Sequence, residues 1–306
     1  MSALRQAIRD FLILRRSLGC KLQRYDCFLS DFVSYLESNG QNVITAAGAL
    51  QWATQRGGAS KTKAQRLTAV RKLAEYVRTF DPRTEVPAPD LLPYRNERHI
   101  PRLYTLDEIK ALVGAARELP RRLKPHTYAT LIGLLAVTGM RLGEVIALDR
   151  SDLDEREGVL VIRNAKFGKS REVPLHRTTL AALQAYARKR DQIISRPRSP
   201  SFFLSQAGTR LFQQDAWRTF MRLLRRTGLY GQRGCRPRIH DLRHSFAVQT
   251  LIGWYQAGVD VQAQLPILST YLGHVSPSCT YWYLTAVPEL VCLAAQRLEQ
   301  NLGGMP

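Results

Sequence analysis

Apolar residues in the first 80 positions recur at helical spacing. Leu22, Tyr25, Phe28, Leu29, Phe32, Val33 and Leu36 form one stripe, and Asn39-Gly40 stops it. A second helix is predicted from near Ser60 to about Phe80, with Leu67, Val70, Leu73, Ala74 and Val77 inward. From residue 103 onward the pattern is again helical. Thr105 and Glu108 have the spacing of a capping box, ahead of Ile109, Leu112 and Val113. Tyr128 to Thr138 reads as a buried helix. Gly139 interrupts it, and a new helix carries Arg141, Glu144, Val145 and Leu148. Period-two, β-branched character occurs at Gly158–Arg163 and again at Arg171–Leu175, with residues 164–170 as the connecting turn. Further helices are expected over 178–194, 214–227, 240–257, 266–272, 277–285 and 288–301. The chain is therefore mainly α, with one small antiparallel sheet.

Between the two helical blocks the pattern breaks. Residues 81–102 hold five of the chain's fifteen prolines: Pro82, Pro87, Pro89, Pro93 and Pro101. Proline at that density disfavours helix and favours an extended spacer. A chain of 306 residues has room for two domains. The expected organisation is a helical domain at 1–80, a linker at 81–102, and a second domain at 103–306.

Charge narrows the partner. The formal net charge is +20. Residues 1–80 carry 13 basic and 5 acidic residues, and residues 103–306 carry 28 and 16; the linker is neutral. Two basic bodies on a neutral strap suit a polyanion, with nucleic acid first and an anionic membrane surface second. Lys61, Lys63, Arg66, Arg71, Lys72 and Arg78 cluster on the second helix with only Glu75 against them, which points to phosphate contact. No apolar run approaches the roughly 20 residues of a membrane span. The N-terminus, with Arg5, Arg9 and Asp10, does not read as a secretion signal. The five cysteines are odd in number and form no CxxC pair, which suits reduced thiols in the cytoplasm.

Four segments concentrate unusual polar groups. Arg141 follows a glycine break among apolar neighbours and needs an anion, either a ligand or Glu144 three residues on. Lys166 and Lys169 sit on the predicted hairpin turn, with Arg171 behind them. In His240-Asp-Leu-Arg-His244, both Arg243 and His244 share a helix face with His240. A zinc helix would also place two histidines four apart. It needs a third ligand and a carboxylate base, and Asp241 is one methylene short of the usual glutamate. Finally, Leu272-Gly-His274 precedes a short helix bearing Tyr281 and Tyr283.

Taken in order, these segments resemble the tyrosine recombinases, the phage-integrase-like site-specific recombinases. The matching elements are Arg141, Lys166 on a β-hairpin, His240 with Arg243, Leu272-Gly273-His274, and Tyr283 nine residues later. The resemblance covers nearly the whole chain. It implies a helical, SAM-like core-binding domain followed by a mostly helical catalytic domain with a small antiparallel sheet. It also implies metal- and cofactor-free DNA cleavage by tyrosine through a 3′-phosphotyrosyl link, serving integration, excision or transposition. Arg141 and Arg243 then clamp the phosphate and His274 adds a hydrogen bond. Lys166, with Lys169 as rival, protonates the leaving 5′-oxygen. His240 is the candidate base or proton shuttle, and Glu144 orients an arginine. Residues two apart on a helix point roughly 200° apart, so Tyr281 and Tyr283 cannot both face the phosphate; the family spacing picks Tyr283. The resemblance further implies a homo-oligomer, a dimer on one site and a tetramer in the synapse. The tail helix would dock on a neighbouring protomer or fold back on its own domain.

Overall fold

A computed structural model describes residues 2–20, 22–93, 101–163, 170–231, 237–274, 276 and 278–302. The chain divides into two compact units, Met1–Arg98 and His99–Pro306.

The first unit holds α1 (Ala3–Ser17), α2 (Gln23–Ser38), α3 (Ala46–Gln55) and α4 (Ser60–Val77). The stripe seen in the sequence is its core: Leu29, Phe32, Val33 and Leu36 pack with Trp52, Leu67, Val70 and Leu73. Trp52 buries its ring and donates its Nε1–H to Asp31 (3.0 Å), so the one polar atom of the indole is satisfied. Thr45 caps α3 by accepting from the Gly48 N–H (3.1 Å). Part of the proline-rich stretch belongs to this unit. Glu85 accepts from the Ala46 N–H (2.7 Å), and Val86 and Leu92 pack against the core.

The second unit begins with α5 (Leu106–Arg117), whose capping box forms as the sequence predicts: Glu108 N–H to Thr105 at 3.2 Å, and Thr105 N–H to Glu108 at 3.0 Å. Next come α6 (Lys124–Thr138) and α7 (Leu142–Ala147). Strands β1 (Leu153–Asp154), β2 (Val159–Ile162) and β3 (Arg171–Pro174) form an antiparallel sheet in sequence order. Its register pairs Val159 with Pro174 and Ile162 with Arg171. The two-residue β1 is too short to leave a period-two signal.

The remaining helices are α8 (Arg177–Ile193), α9 (Gln213–Arg226), α10 (Asp241–Gln256), α11 (Val261–Leu272), α12 (Ser278–Ala286) and α13 (Pro288–Leu302). One core gathers α5, α6, the sheet, α8 and α9; a second gathers α10 to α13. Helix α11 starts five residues before the predicted 266. Pro266 reads as a helix start, yet it lies inside the helix, and Asp260 supplies the true cap by accepting from the Gln262 and Ala263 N–H groups (3.0 and 3.2 Å). Among the described residues no helix is long and apolar enough to cross a membrane.

Candidate active site

The site forms where two glycine breaks meet. Gly139 ends α6 at φ +60°, a conformation that glycine adopts without cost. A Cβ there would come within 2.5 Å of the Phe246 ring and 2.9 Å of Leu272. Gly273 ends α11 at φ +67°, and a Cβ there would lie 2.7 Å from an Arg171 nitrogen. Gly139 therefore requires glycine for both backbone angle and space, and Gly273 for its backbone angle.

Three arginines converge on these breaks. Arg141, at the start of α7, donates from Nη2 to the Gly273 carbonyl (2.8 Å). Arg243, in the first turn of α10, donates to the carbonyls of Gly139 and Leu272 (both 2.8 Å). Arg171, at the start of β3, donates from Nε to the Tyr271 carbonyl (2.9 Å). Residues 271–273 thus present three successive carbonyls at the C-terminal end of α11, the negative pole of a helix. Each guanidinium has five donors, and these bonds engage only one or two of them.

Glu144 holds two of the three. Its carboxylate accepts from Arg141 Nη1 (2.7 Å) and from both Arg171 Nη atoms (3.1 and 2.8 Å). Its side chain is only 7% exposed. Burial alone would raise its pKa, but hydrogen bonds from Arg171 and from the backbone and side chain of Arg141 outweigh it and hold the carboxyl at about 2. A carboxyl depressed this far stabilises the fold above its ordinary range of about 4.5, and the contribution is lost as pH falls toward 2. That shift corresponds to roughly 3 kcal/mol. The expected result for Glu144→Gln is a lower Tm at pH 7 and a flatter Tm–pH curve between about pH 4.5 and 2. Parallel curves for the two proteins would show that Glu144 is not the linked group.

Tyr283 lies in the middle of α12 and is 2% exposed, whereas Tyr281 is 45% exposed. The two tyrosines point apart as helix geometry requires, and the inward one is Tyr283. Its hydroxyl is 2.9 Å from His244 Nδ1. Its ring stacks on His274, with centroids 6.4 Å apart. Burial raises its pKa, while the neighbouring cations Arg243 and Arg141 oppose the rise. His274 Nδ1 is 2.7 Å from the hydroxyl of fully buried Thr280, which fixes the ring. His240 is solvent-exposed and stands edge-on to His244 at 4.9 Å. Crowding by protein, then Arg243 and Arg141, push its pKa down to about 4. Arg243 itself is 2% exposed, and burial with Arg141 lowers it to about 10, so it remains a cation at neutral pH.

The structure therefore brings Arg141, Glu144, His240, Arg243, His274 and Tyr283 into one group. Lys166 and Lys169 lie outside the described residues. On α4, Arg66 donates to the carbonyls of Arg56 and Gly57 (2.7 and 3.0 Å), and Lys72 pairs with Glu75 (2.8 Å). Arg71 reaches the Pro89 carbonyl at 3.5 Å, while Lys61 is exposed and Lys63 half-buried. Three members of the site were not singled out for it from the sequence: Arg171, His244 and Thr280. Arg171 was visible only as a basic residue behind the hairpin, and His244 only as the helical partner of His240. Among the described residues no three His, Cys, Asp or Glu side chains gather as a metal cluster. What closes on His244 is the tyrosine.

Comparison with known proteins shows the family. The chain is 46% identical to the integrase/recombinase y4rB of Sinorhizobium fredii over 309 residues, 98% of each chain. It is 35% identical to the tyrosine recombinase XerD of Mycobacterium tuberculosis over 61% of this chain and 57% of that protein. Among solved structures, the Tn1549 transposon integrase in complex with transposon right end DNA superposes with a TM-score of 0.64 at 17% identity, over 97% of this chain and 99% of that one. The lambda integrase dimer bound to a core site gives 0.61 at 20% identity, over 92% of this chain and 77% of that one. The family model described as the phage integrase family matches residues 102–289, a span that includes both glycine breaks, all three arginines and Tyr283. On that match, and on a relative alike along almost its full length, this chain belongs to the phage integrase family.

Proposed function

We propose that this protein is a site-specific DNA recombinase that cuts and rejoins strands through Tyr283. The observation that carries this reading is a buried tyrosine whose hydroxyl meets His244, whose ring stacks on His274, and which lies in the field of two guanidiniums, Arg243 and Arg141. The phenolic oxygen attacks the scissile phosphorus and the 5′-oxygen leaves, which gives a 3′-phosphotyrosyl link. A second strand's 5′-hydroxyl later reverses the step. Covalent catalysis divides one hard displacement into two easier ones. Negative charge gathers on the non-bridging oxygens in flight, and fixed cations must meet it. Arg141 and Arg243 supply forked donors for this, and His274 adds one more. Glu144 positions Arg141. His240, exposed beside the group, shuttles a proton to solvent, and Lys166 protonates the leaving oxygen. Metal ions and cofactors take no part in this scheme.

The basic surface supplies the grip on double-stranded DNA, with Lys61, Lys63, Arg66, Arg71, Lys72 and Lys169 on the backbone. The organisation proposed is a core-binding domain at 1–80, a linker at 81–102 and a catalytic domain at 103–306. Assembly is as a dimer on one site and a tetramer in the synapse. In the single chain α13 lies on its own unit: Leu290 is buried and Arg297 donates to the Val259 carbonyl (2.6 Å). Trans docking then requires α13 to leave that seat for a neighbouring protomer. The half-exposed Val291 gives it an apolar contact to offer there.

A nicked duplex carrying the cognate site tests the reading, because the nick lets the cleaved fragment diffuse away and traps the adduct. The expected result is a covalent protein–DNA adduct that forms in EDTA. Binding should weaken steeply with salt as phosphate contacts release counterions. An absolute need for a divalent ion would overturn the mechanism. Relaxation of a plasmid without paired sites would point instead to a monomeric topoisomerase.

A further inference from the structure

We propose that His244 is the general base that takes the proton from Tyr283 during strand cleavage, with His240 behind it as the next group in line. The inference rests on the recombinase reading above.

Geometry carries it. Among the described histidines, the one hydrogen-bonded to the Tyr283 oxygen is His244, through Nδ1 at 2.9 Å. The contact spans 39 residues, from the first turn of α10 to the middle of α12. His244 is held on several sides. The His240 ring meets it edge-on at 4.9 Å, and the Trp282 ring meets it at 5.9 Å. Its neighbour in sequence, Arg243, is anchored by the Gly139 and Leu272 carbonyls, so the first turn of α10 is fixed against both glycine breaks. A base must lie within hydrogen-bond reach of the proton it abstracts, and this one already does.

The protonation state also suits the role. The titratable and charged groups that act on His244 are His240, Arg238, Arg243 and His274, with the phenol of Tyr283 opposite. Burial first, and then those cations and rings, push its pKa down to about 3. The ring is therefore neutral at working pH and has one nitrogen lone pair to offer. So weak a base would not ionise a resting tyrosine. It does not need to. As the oxygen–phosphorus bond forms, the phenolic proton becomes strongly acidic, and an incoming phosphate anion raises the basicity of an imidazole beside it.

The step balances. The Tyr283 oxygen bonds to phosphorus, its proton passes to His244 Nδ1, and the bond from phosphorus to the 5′-oxygen breaks. The 5′-oxygen receives its proton from Lys166, in the role proposed for it above. In rejoining, the His244 imidazolium returns its proton to the departing phenolate. His240, edge-on and open to solvent, is placed to exchange that proton with water while the covalent intermediate persists.

The test separates basicity from positioning. Asparagine can place an amide oxygen near the position of Nδ1, so His244→Asn keeps an acceptor for the phenol but cannot carry its proton. The expected result is DNA affinity as in the unaltered protein, with single-turnover cleavage of the nicked duplex slowed about 100-fold. Installing difluorotyrosine at position 283 by nonsense suppression gives a more acidic phenol. It should return about tenfold of the lost rate to His244→Asn and little to the unaltered chain, because a more acidic phenol needs less help from a base. A rate within threefold of normal for His244→Asn would overturn the proposal, as would a fluorinated phenol that rescues His240→Asn but not His244→Asn. The unaltered protein offers a check that does not depend on any variant folding. Nitrogen-15 NMR of His244 should show Nδ1 without a proton, and a shift on Tyr283→Phe. A protonated Nδ1 would make the ring a donor to the tyrosine and end the proposal. Adduct formation by Tyr283→Phe would instead defeat the underlying recombinase reading, so the two failures are distinguishable.

Discussion

Tyr283→Phe removes one oxygen atom and is expected to abolish the covalent adduct, with at least a 10⁴-fold loss of cleavage and no loss of DNA affinity. The reasoning is steric as well as chemical. Tyr283 is 2% exposed and its ring stacks on His274, so phenylalanine fills the same space and keeps that contact. The nucleophile disappears together with the hydroxyl's hydrogen bonds to His244 and Arg243. Losing one neutral and one charge-assisted hydrogen bond costs about 2–4 kcal/mol, less than the stability of a typical domain, and this one has two cores. Tyr281→Phe is the matched control. Tyr281 points outward at 45% exposure, so its loss should leave adduct formation within a factor of two or three. An adduct that survives Tyr283→Phe and vanishes with Tyr281→Phe would transfer the nucleophile to Tyr281.

Arg243→Ala is the second large effect, and it should strike chemistry and stability together. Arg243 is 2% exposed and binds the carbonyls of Gly139 and Leu272, 104 and 29 residues away. Without it, two buried carbonyls lose their donor, at about 1–3 kcal/mol each. A Tm lower by about 5–10 °C is therefore expected, as calorimetry would show. Cleavage should fall by 10³-fold or more, because a fixed cation facing a phosphoryl transition state is lost. Arg243→Lys restores charge without the fork, and should recover part of the stability but little of the rate. Cleavage by a folded Arg243→Ala protein within tenfold of normal would remove Arg243 from the phosphate clamp.

Much of this site was readable before any tertiary contact was known, for two reasons. Helical periodicity is local, so the stripe Leu29, Phe32, Val33 and Leu36 names a core face directly. Left-handed breaks leave glycines, so Gly139 and Gly273 marked the points where α6 and α11 end. Pro266 shows the limit of such signals. A proline marks a helix start as readily as a position inside one, and only the cap at Asp260 tells them apart.

The sequence by itself determined the helical character, the small sheet, the basic balance and the ordered set of arginines, histidines and tyrosine that identifies the family. It also determined that Tyr281 and Tyr283 face apart, since that follows from turn angle alone. Only the tertiary structure decided which partners those side chains have. Arg141 reaches Gly273 across 132 positions, and Arg171 reaches Tyr271 across 100. Glu144 is shared between two arginines, and the tyrosine oxygen meets His244. The physical reason is range. Turn angle and capping act over a few residues, whereas these contacts are set by how α7, β3, α10 and α12 pack around the C-terminal carbonyls of α11. A sequence motif lists the groups, and packing decides which of them touch.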